Sequence, residues 1–245
     1  MSTSTTVQPL AGRTALVTGA TSGIGKAVAL QLAAHGATVL IHGRNANRGV
    51  AVVEQIELAG GHARFVAADL SDPEAIAALA ADLGPIDILV NNAGSAWFGA
   101  SNSLDVPTYD RLFDGNVRSA YLLTAALAPT MAHGSSIINL GSMAGTIGLA
   151  GGAAYSATKA ALTAMTRSWA AEYGAAGIRV NAVAPGPVFT EGADQANTVA
   201  LGQTTLLGRA AQPSEIANVV AFLSSADAGY ITGATIPVDG GRTAV

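Results

Sequence analysis

The chain has 245 residues, half of them hydrophobic, with a formal net charge of −4 and no block of like charge. It is long enough for an α/β domain with a sizeable core, and it lacks the basic surface of proteins that bind nucleic acid or anionic membranes. The absence of cysteine excludes disulfides, thiolate metal ligands and a cysteine nucleophile. The four histidines are scattered without metal-ligand spacing, so no metal site is predicted.

The first ten residues are rich in serine and threonine and lack the basic and apolar regions of a signal peptide. We therefore predict a flexible tail over residues 1–10. The longest apolar stretch, residues 119–132, is too short to span a bilayer and contains Pro129. These features lead us to expect a soluble, cytoplasmic protein without a membrane or nucleic-acid partner.

Short β-branched runs alternate with longer alanine-rich stretches along the rest of the chain. Strands are predicted at residues 14–18, 38–42, 64–68, 86–91, 136–140, 179–184 and 235–238. Helices are predicted at residues 23–35, 47–59, 73–83, 106–131, 155–173 and 213–223. The alternation predicts one α/β domain over residues 11–245, a Rossmann-like doubly wound fold with a seven-stranded parallel sheet and helices on both faces. Residues 190–208 have no clear period and are interpreted as a mobile substrate lid near the carboxyl ends of the strands.

A glycine-rich turn at residues 18–25 follows the first strand and begins the first helix. Its glycines permit close approach to a pyrophosphate, and the helix N-terminus offers unpaired N–H groups. The spacing of Gly19, Gly23 and Gly25 differs from the commoner Gly-x-Gly-x-x-Gly. From this motif alone, an ordinary strand-to-helix turn remains an alternative.

Tyr155 and Lys159 are separated by one helical turn in an alanine-rich stretch, and the chain has only one other lysine, Lys26. This spacing places the phenol and the ammonium on one helix face. A neighbouring cation favours phenolate, so we expect the pKa of Tyr155 to be lowered toward neutral pH.

The chain resembles the short-chain dehydrogenase/reductase family. Matching residues follow one another in the family's order over roughly residues 10–241, which is far more specific than any single motif. They are the turn at residues 18–25, Asp69-Leu70, Asn91-Asn92-Ala93-Gly94, Asn116, Ser142, Tyr155 with Lys159, Pro185-Gly186 and Gly240-Gly241.

The resemblance implies catalysis by Asn116, Ser142, Tyr155 and Lys159. Tyr155 would be the acid in carbonyl reduction and the base in alcohol oxidation, and Ser142 would hydrogen-bond the substrate oxygen. Lys159 would lower the pKa of Tyr155 and bind the nicotinamide ribose. Asn116 would hold a water that passes protons to Lys159. A glycine and a polar residue inside an apolar helix, as at residues 115 and 116, are also locally unfavourable, which is expected at functional sites.

A nicotinamide cofactor is implied by the same resemblance. Asp69 would hydrogen-bond the adenine, with a loop-tying role as its alternative, and Asn92 would support the pocket or only stabilise a turn. The residues implied to bind the cofactor are Gly19, Thr21, Ser22, Gly23, Ile24, Arg44, Asp69, Leu70, Asn92, Ala93, Gly94, Tyr155, Lys159, Pro185, Gly186, Val188 and Thr190.

The end of the second strand favours NADP(H). Many NAD-dependent enzymes place an acid there to bind the ribose, and the corresponding position looks like Gly43. Arg44 offers a guanidinium to a 2′-phosphate. Some NADP-dependent members carry a basic residue in the glycine-rich turn, where this chain has Ser22, so use of NAD(H) is kept as an alternative.

The residues expected around the substrate are small or apolar, and no basic residue is present to bind a phosphate or carboxylate. They are Ser95, Ala96, Trp97, Phe98, Met143, Ala144, Gly151, Gly152, Pro187 and Val188. We therefore expect a neutral ketone or aldehyde, or the matching secondary alcohol. The resemblance also implies a homotetramer. A dinucleotide-sensing protein without catalysis, or an NAD-dependent dehydrogenase, is the alternative function.

Overall fold

Seven parallel strands form one sheet in a computed structural model that describes residues 8–245. The strands are β1 Thr14–Val17, β2 Thr38–Gly43, β3 His62–Ala67, β4 Ile88–Asn91, β5 Ser136–Leu140, β6 Arg179–Pro185 and β7 Thr235–Val238. Their order across the sheet is β3-β2-β1-β4-β5-β6-β7. The chain thus builds outward from β1 in one direction and from β4 in the other, which leaves a crevice between the carboxyl ends of β1 and β4. The predicted fold class is confirmed.

Eight α-helices lie along the described part of the chain. They are α1 Gly23–Ala34, α2 Ala46–Leu58, α3 Pro73–Leu83, α4 Val106–Phe113, α5 Ser119–Leu127, α6 Ala153–Tyr173, α7 Gln195–Gly202 and α8 Pro213–Ser224. Within residues 8–245, none of the helices combines the length and the apolar character that a membrane crossing needs.

The core has two layers because neighbouring residues of a strand point to opposite faces of the sheet. On β1, Val17 packs in the layer beneath α1, α2 and α8, whereas Leu16 packs in the layer beneath α3, α5 and α6. Most strand residues near the centre of the sheet are buried on both faces, as in other parallel sheets. The sheet therefore presents its carboxyl ends as a rigid base for a site.

The long helix predicted at residues 106–131 is interrupted. Five residues, Asp114–Arg118, form a π-helical turn between α4 and α5, and the segment ends in a short 3₁₀ turn, Ala128–Thr130. The Ser119 hydroxyl donates to the Gly115 carbonyl at 2.6 Å, which satisfies one carbonyl of the widened turn. The locally unfavourable Gly115 and Asn116 therefore mark a real change of helix geometry, of a kind often found at functional sites.

The segment at residues 190–208, interpreted as a lid, contains helix α7, which was not predicted. The Asp194 side chain caps α7 by accepting hydrogen bonds from the N–H groups of Ala196 and Asn197. A helix of this length shows too few turns for a period to be visible in the sequence. At the other end of the chain, Leu10 is buried, so packing begins within the predicted tail; residues 1–7 lie outside the described residues.

Candidate active site

The glycine-rich turn is held in place by side chains from both central strands. The Thr18 hydroxyl accepts hydrogen bonds from the backbone N–H groups of Asn92 and Ala93, each at 2.9 Å. The Asn92 amide donates to the carbonyl oxygens of Thr18 and Gly19 at 2.8 and 3.2 Å. A β-carbon at Gly25 would overlap the Gly19 carbonyl oxygen, so only glycine fits there. These contacts of Asn92 stabilise the turn, which is one of the two roles that the sequence suggests for this residue.

A cavity of about 700 Å³ opens beside this turn at the carboxyl ends of the strands. The Ser22 side chain makes no capping hydrogen bond at the start of α1, so the helix N-terminus remains available to an anion. Gly19 and Gly23 have φ angles of +64° and +54°, which side-chain-bearing residues rarely adopt. The cavity is lined by most residues predicted to bind the cofactor: Gly19, Thr21, Ser22, Gly23, Ile24, Arg44, Asp69, Leu70, Asn92, Ala93, Gly94 and Thr190.

Five of the predicted cofactor residues are not among those lining this cavity. Pro185, Gly186 and Val188 lie at the end of β6, where the Gly186 N–H donates to the Val238 carbonyl at 3.0 Å. Lys159 lies next to the part of the cavity that Gly94 and Ser95 line, since a β-carbon at Gly94 would be 3.9 Å from its Nζ. The cavity is therefore a candidate for the phosphate and adenosine portions of a dinucleotide, whose reactive end would lie toward Lys159 and Tyr155.

Asn116 joins the loop after β4 to α6. Its side-chain oxygen accepts from the Ser95 N–H at 2.8 Å, and its amide donates to the Ser95 carbonyl at 2.8 Å and the Thr158 hydroxyl at 3.0 Å. Thr158 in turn donates to the Tyr155 carbonyl at 2.7 Å. Because the amide group of Asn116 is occupied by protein partners, a water held by this residue would bind its backbone carbonyl in the π-helical turn.

The Lys159 side chain is buried, with an exposed fraction of 6%. Its Nζ donates to the Leu140 carbonyl at 2.8 Å and lies 5.7 Å from the centre of the Tyr155 ring. Burial disfavours the charged form and lowers the pKa of Lys159 to about 8. The ammonium is therefore ready to exchange a proton only slightly above neutral pH.

Tyr155 lies beside Ser142, but its ionisation differs from the sequence expectation. Burial raises the pKa of the Tyr155 phenol, and a hydrogen bond with the Ser142 side chain offsets part of that rise. The predicted lowering of the Tyr155 pKa is wrong for this structure, because burial is the largest cause of its shift, and the Lys159 ammonium donates to the Leu140 carbonyl. A partly buried phenol that keeps its proton is suited to act as an acid.

The chain is similar to known proteins along nearly its whole length. A family model described as Enoyl-(Acyl carrier protein) reductase matches residues 19–243. A cis-4-hydroxycyclohexanecarboxylate dehydrogenase of Sinomonas cyclohexanicum is 42% identical over 250 residues, covering 97% of this chain and 99% of its own. The chain belongs to the short-chain dehydrogenase/reductase family. It is accordingly an NAD(P)-dependent oxidoreductase.

Two further relatives of this dehydrogenase/reductase are similar over nearly their whole length. A cyclopentanol dehydrogenase of Comamonas sp. is 38% identical, covering 94% of this chain and 96% of its own. The structure of an angucycline C-6 ketoreductase, LanV, with bound NADP superposes with a TM-score of 0.93 at 35% identity, covering 97% of this chain and 98% of that one.

The adenosine end of the cavity carries two arginines. Arg44 was predicted, whereas Arg48 was not, and both are exposed and line the cavity. The Asn45 side chain caps α2 by accepting from the Arg48 N–H at 3.0 Å, so both arginines flank a helix N-terminus. Asp69 also lines this end, and its carboxylate accepts from the N–H and hydroxyl of Ser71. The sequence signal that could have revealed Arg48 is its spacing of one helical turn from Arg44 across the start of a helix.

His42 is a second residue that the sequence reasoning missed, because a lone histidine at a strand end predicts no particular role. It is buried beneath the cavity, with an exposed fraction of 3%. Its Nδ1 accepts from the Gly19 N–H at 3.3 Å, so its Nε2 donates to the Ala68 carbonyl at 3.2 Å. These bonds require a neutral ring, and burial lowers the pKa of His42. His42 thus connects the glycine-rich turn to the end of β3.

Replacing His42 by Asn should reduce the pH dependence of stability. Because the folded-state pKa of His42 is lowered, the unfolded chain takes up the proton first, and stability is lost as the pH falls below about 6.5, the ordinary histidine value. The test is the free energy of unfolding between about pH 8 and about pH 5.5. His42→Asn should cost about 1–3 kcal/mol at the higher pH and show a smaller loss on acidification.

His62→Asn, at an exposed position of β3, is the matched control. It should leave both the stability and its pH dependence unchanged. If the free energy of unfolding changes equally with pH in wild type and in His42→Asn, the assignment of a neutral, buried ring to His42 is contradicted.

Proposed function

We propose that this protein is an NADP(H)-preferring oxidoreductase that transfers hydride reversibly between the nicotinamide and a neutral ketone or aldehyde, or the matching secondary alcohol. Tyr155 is the proposed acid and base. The observation that carries the proposal is the partly buried Tyr155 beside Ser142, with the Lys159 Nζ 5.7 Å from the centre of its ring, next to a cavity suited to a dinucleotide.

Carbonyl reduction needs a proton donor where negative charge develops on the substrate oxygen. The raised pKa of Tyr155 keeps its phenol protonated at neutral pH, and the Ser142 hydroxyl beside it can donate a second hydrogen bond to the same oxygen. When bound, the reduced nicotinamide supplies the hydride. In alcohol oxidation Tyr155 must be a phenolate to accept the proton of the alcohol, and its raised pKa makes the phenolate available only at alkaline pH.

Lys159 is suited to two tasks in this scheme. One N–H of its ammonium is occupied by the Leu140 carbonyl, and an ammonium has three donors, so others remain for a ribose hydroxyl. Its pKa of about 8 also allows it to release and regain a proton near neutral pH. The backbone carbonyl of Asn116 would hold the water that connects this proton to solvent.

The preference for NADP(H) rests on charge at the adenosine end of the cavity. Arg44 and Arg48 both line that end, and Gly43 contributes no carboxylate that would repel a 2′-phosphate. A guanidinium binds phosphate through charge-assisted hydrogen bonds. The NADP bound in the angucycline ketoreductase, a relative at 35% identity, supports the same choice.

The proposed substrate is neutral because the surroundings of Tyr155 carry few charges. The loops at residues 95–98, 143–152 and 186–190 contain no charged residue, and the lid adds Glu191 and Asp194 before Arg209 follows it. Asp194 is used as the cap of α7. The names of two relatives, a cyclopentanol dehydrogenase and a cis-4-hydroxycyclohexanecarboxylate dehydrogenase, fit a secondary alcohol or its ketone.

A homotetramer is the proposed assembly. Helices α4 and α5 expose large apolar side chains at Val106, Tyr109 and Tyr121, and α6 exposes small residues that allow close helix packing, including Ala164. On the other side of the molecule, α8 exposes Phe222. Two separate apolar surfaces are what dihedral symmetry requires.

Changing Tyr155 to Phe should lower kcat for ketone reduction by about 10²–10⁴-fold, because the proton donor is lost. The affinity for NADPH should remain near the wild-type value, since the ring and its packing are kept. Both quantities are measured on the same sample. Tyr173→Phe removes a hydroxyl from the same helix and should retain activity; near-normal turnover by Tyr155→Phe would exclude Tyr155 as the acid.

Changing Arg44 or Arg48 to Ala should weaken NADPH binding by about 1.5–3 kcal/mol, the range for a hydrogen bond to a charged group, and hardly change NADH binding. The measurement is kcat/KM for both cofactors at one ionic strength, because salt screens a phosphate contact. Arg64→Ala, an exposed arginine on β3, is the control. The preference is refuted if wild type already favours NADH.

A carboxylate at position 43 should reverse the preference for NADPH over NADH. The space around Gly43, however, limits which variant can be made. A β-carbon there would lie 2.5 Å from the Thr21 methyl group, so the change needs Thr21→Ser to make room. The informative comparison is therefore Gly43→Asp against Gly43→Ala, both with Thr21→Ser. Only the carboxylate should repel a 2′-phosphate and bind the 2′-hydroxyl, so reversal in the Ala variant would point to sterics instead.

Light scattering should give the mass of four chains of 24.3 kDa each. Ala164→Glu should split the assembly, because charged groups would be buried where small residues pack. Ala175→Glu, at an exposed turn after α6, should leave it intact. A monomeric wild type would rule the tetramer out.

A further inference from the structure

The loop after β4 places an aromatic ring directly against the proposed acid. The Phe98 ring lies with its centre 5.4 Å from that of Tyr155, at an interplanar angle of 58°. At the same time 57% of Phe98 is exposed. A large apolar side chain that is half open to solvent beside a reacting group has a free face on which a substrate can lie.

The backbone around Phe98 holds the ring in this place. The Gly99 N–H donates to the Gly151 carbonyl at 3.0 Å, which joins the loop of Phe98 to the loop that precedes α6. Gly151 has a φ angle of +76°, and a β-carbon there would lie 3.1 Å from the Gly99 carbonyl oxygen. A β-carbon at Gly152 would lie 3.4 Å from Phe98 Cε1. Two glycines therefore allow the loops to meet and set the position of the ring.

The neighbours of the ring are apolar as well. The Trp97 ring packs against Gly99, where a β-carbon would lie 2.8 Å from it, and Leu149 packs against Gly152. Met143 and Ala144, next to Ser142, are buried. A substrate whose oxygen reaches Tyr155 and Ser142 would thus bring the carbon atoms beside its carbonyl against Phe98.

We propose that Phe98 is a substrate-binding wall that makes this enzyme prefer ketones whose carbonyl lies in or on a rigid ring, such as alicyclic and aryl ketones, over open-chain ketones of equal size. This inference rests on the proposed carbonyl reduction at Tyr155. A rigid ring keeps its whole face against Phe98 and loses little conformational freedom on binding, whereas an open chain must be ordered first.

The test compares carbon-matched substrate pairs, cyclohexanone with 2-hexanone and acetophenone with 2-octanone. The kcat/KM ratio within each pair is measured for wild type, Phe98→Ala, Phe98→Leu and Phe98→Tyr. Tyr230→Leu, at an exposed tyrosine after α8, is the matched control. Binding of the same ketones to the enzyme with oxidised cofactor, where no hydride is available, is measured by saturation-transfer NMR.

We expect wild type, Phe98→Tyr and Tyr230→Leu to favour the ring ketone by about 2- to 12-fold, the range for an aromatic contact. Phe98→Ala should bring the ratio to about one in both rate and binding, with Phe98→Leu in between. A ratio unchanged by Phe98→Ala, or absent in wild type, would overturn the inference. Lack of turnover of every ketone would refute the proposed reduction, and the binding measurement would still decide the role of Phe98.

Discussion

The hydrogen bonds between Thr18 and the loop after β4 are the constraint on which the site depends. They join the ends of β1 and β4 at the point where the order of the strands reverses, and so fix the glycine-rich turn against the loop that carries Ser95. From Ser95 the connection continues through the Asn116 side chain to Thr158 on α6. One continuous set of bonds therefore positions the dinucleotide cavity relative to Tyr155.

Burial away from water is the second physical constraint, because it sets the ionisation of the side chains at the site. Tyr155 is partly and Lys159 almost fully removed from water, and burial shifts their pKa values in opposite directions, upward for the phenol and downward for the ammonium. Lys159, with a pKa of about 8, therefore gives up its proton at a lower pH than Tyr155 does. His42 follows the same rule, since a neutral ring is the form that burial favours and the form that its two hydrogen bonds require.

Most of the fold was predictable because its signals are local. The strands have β-branched runs bounded by turn residues, and all seven were located to within two residues of their observed bounds. The features that were missed have different causes. Helix α7 is too short to show a period, and the interruption at residues 114–118 depends on an amide that is bound by residues distant in the chain. His42 carries no motif and Arg48 only its one-turn spacing from Arg44, so the position of both residues at the site became evident from the cavity.

The sequence by itself determined the fold class and the location of the glycine-rich turn, because each depends on residue types at short, regular spacings. The tertiary structure alone decided the ionisation of Tyr155, the partners of Asn116 and Lys159, and the contact of Phe98 with Tyr155. These properties depend on which atoms exclude water from a group and which donors reach it. Those atoms come from elements far apart in the chain, so no local pattern could reveal them.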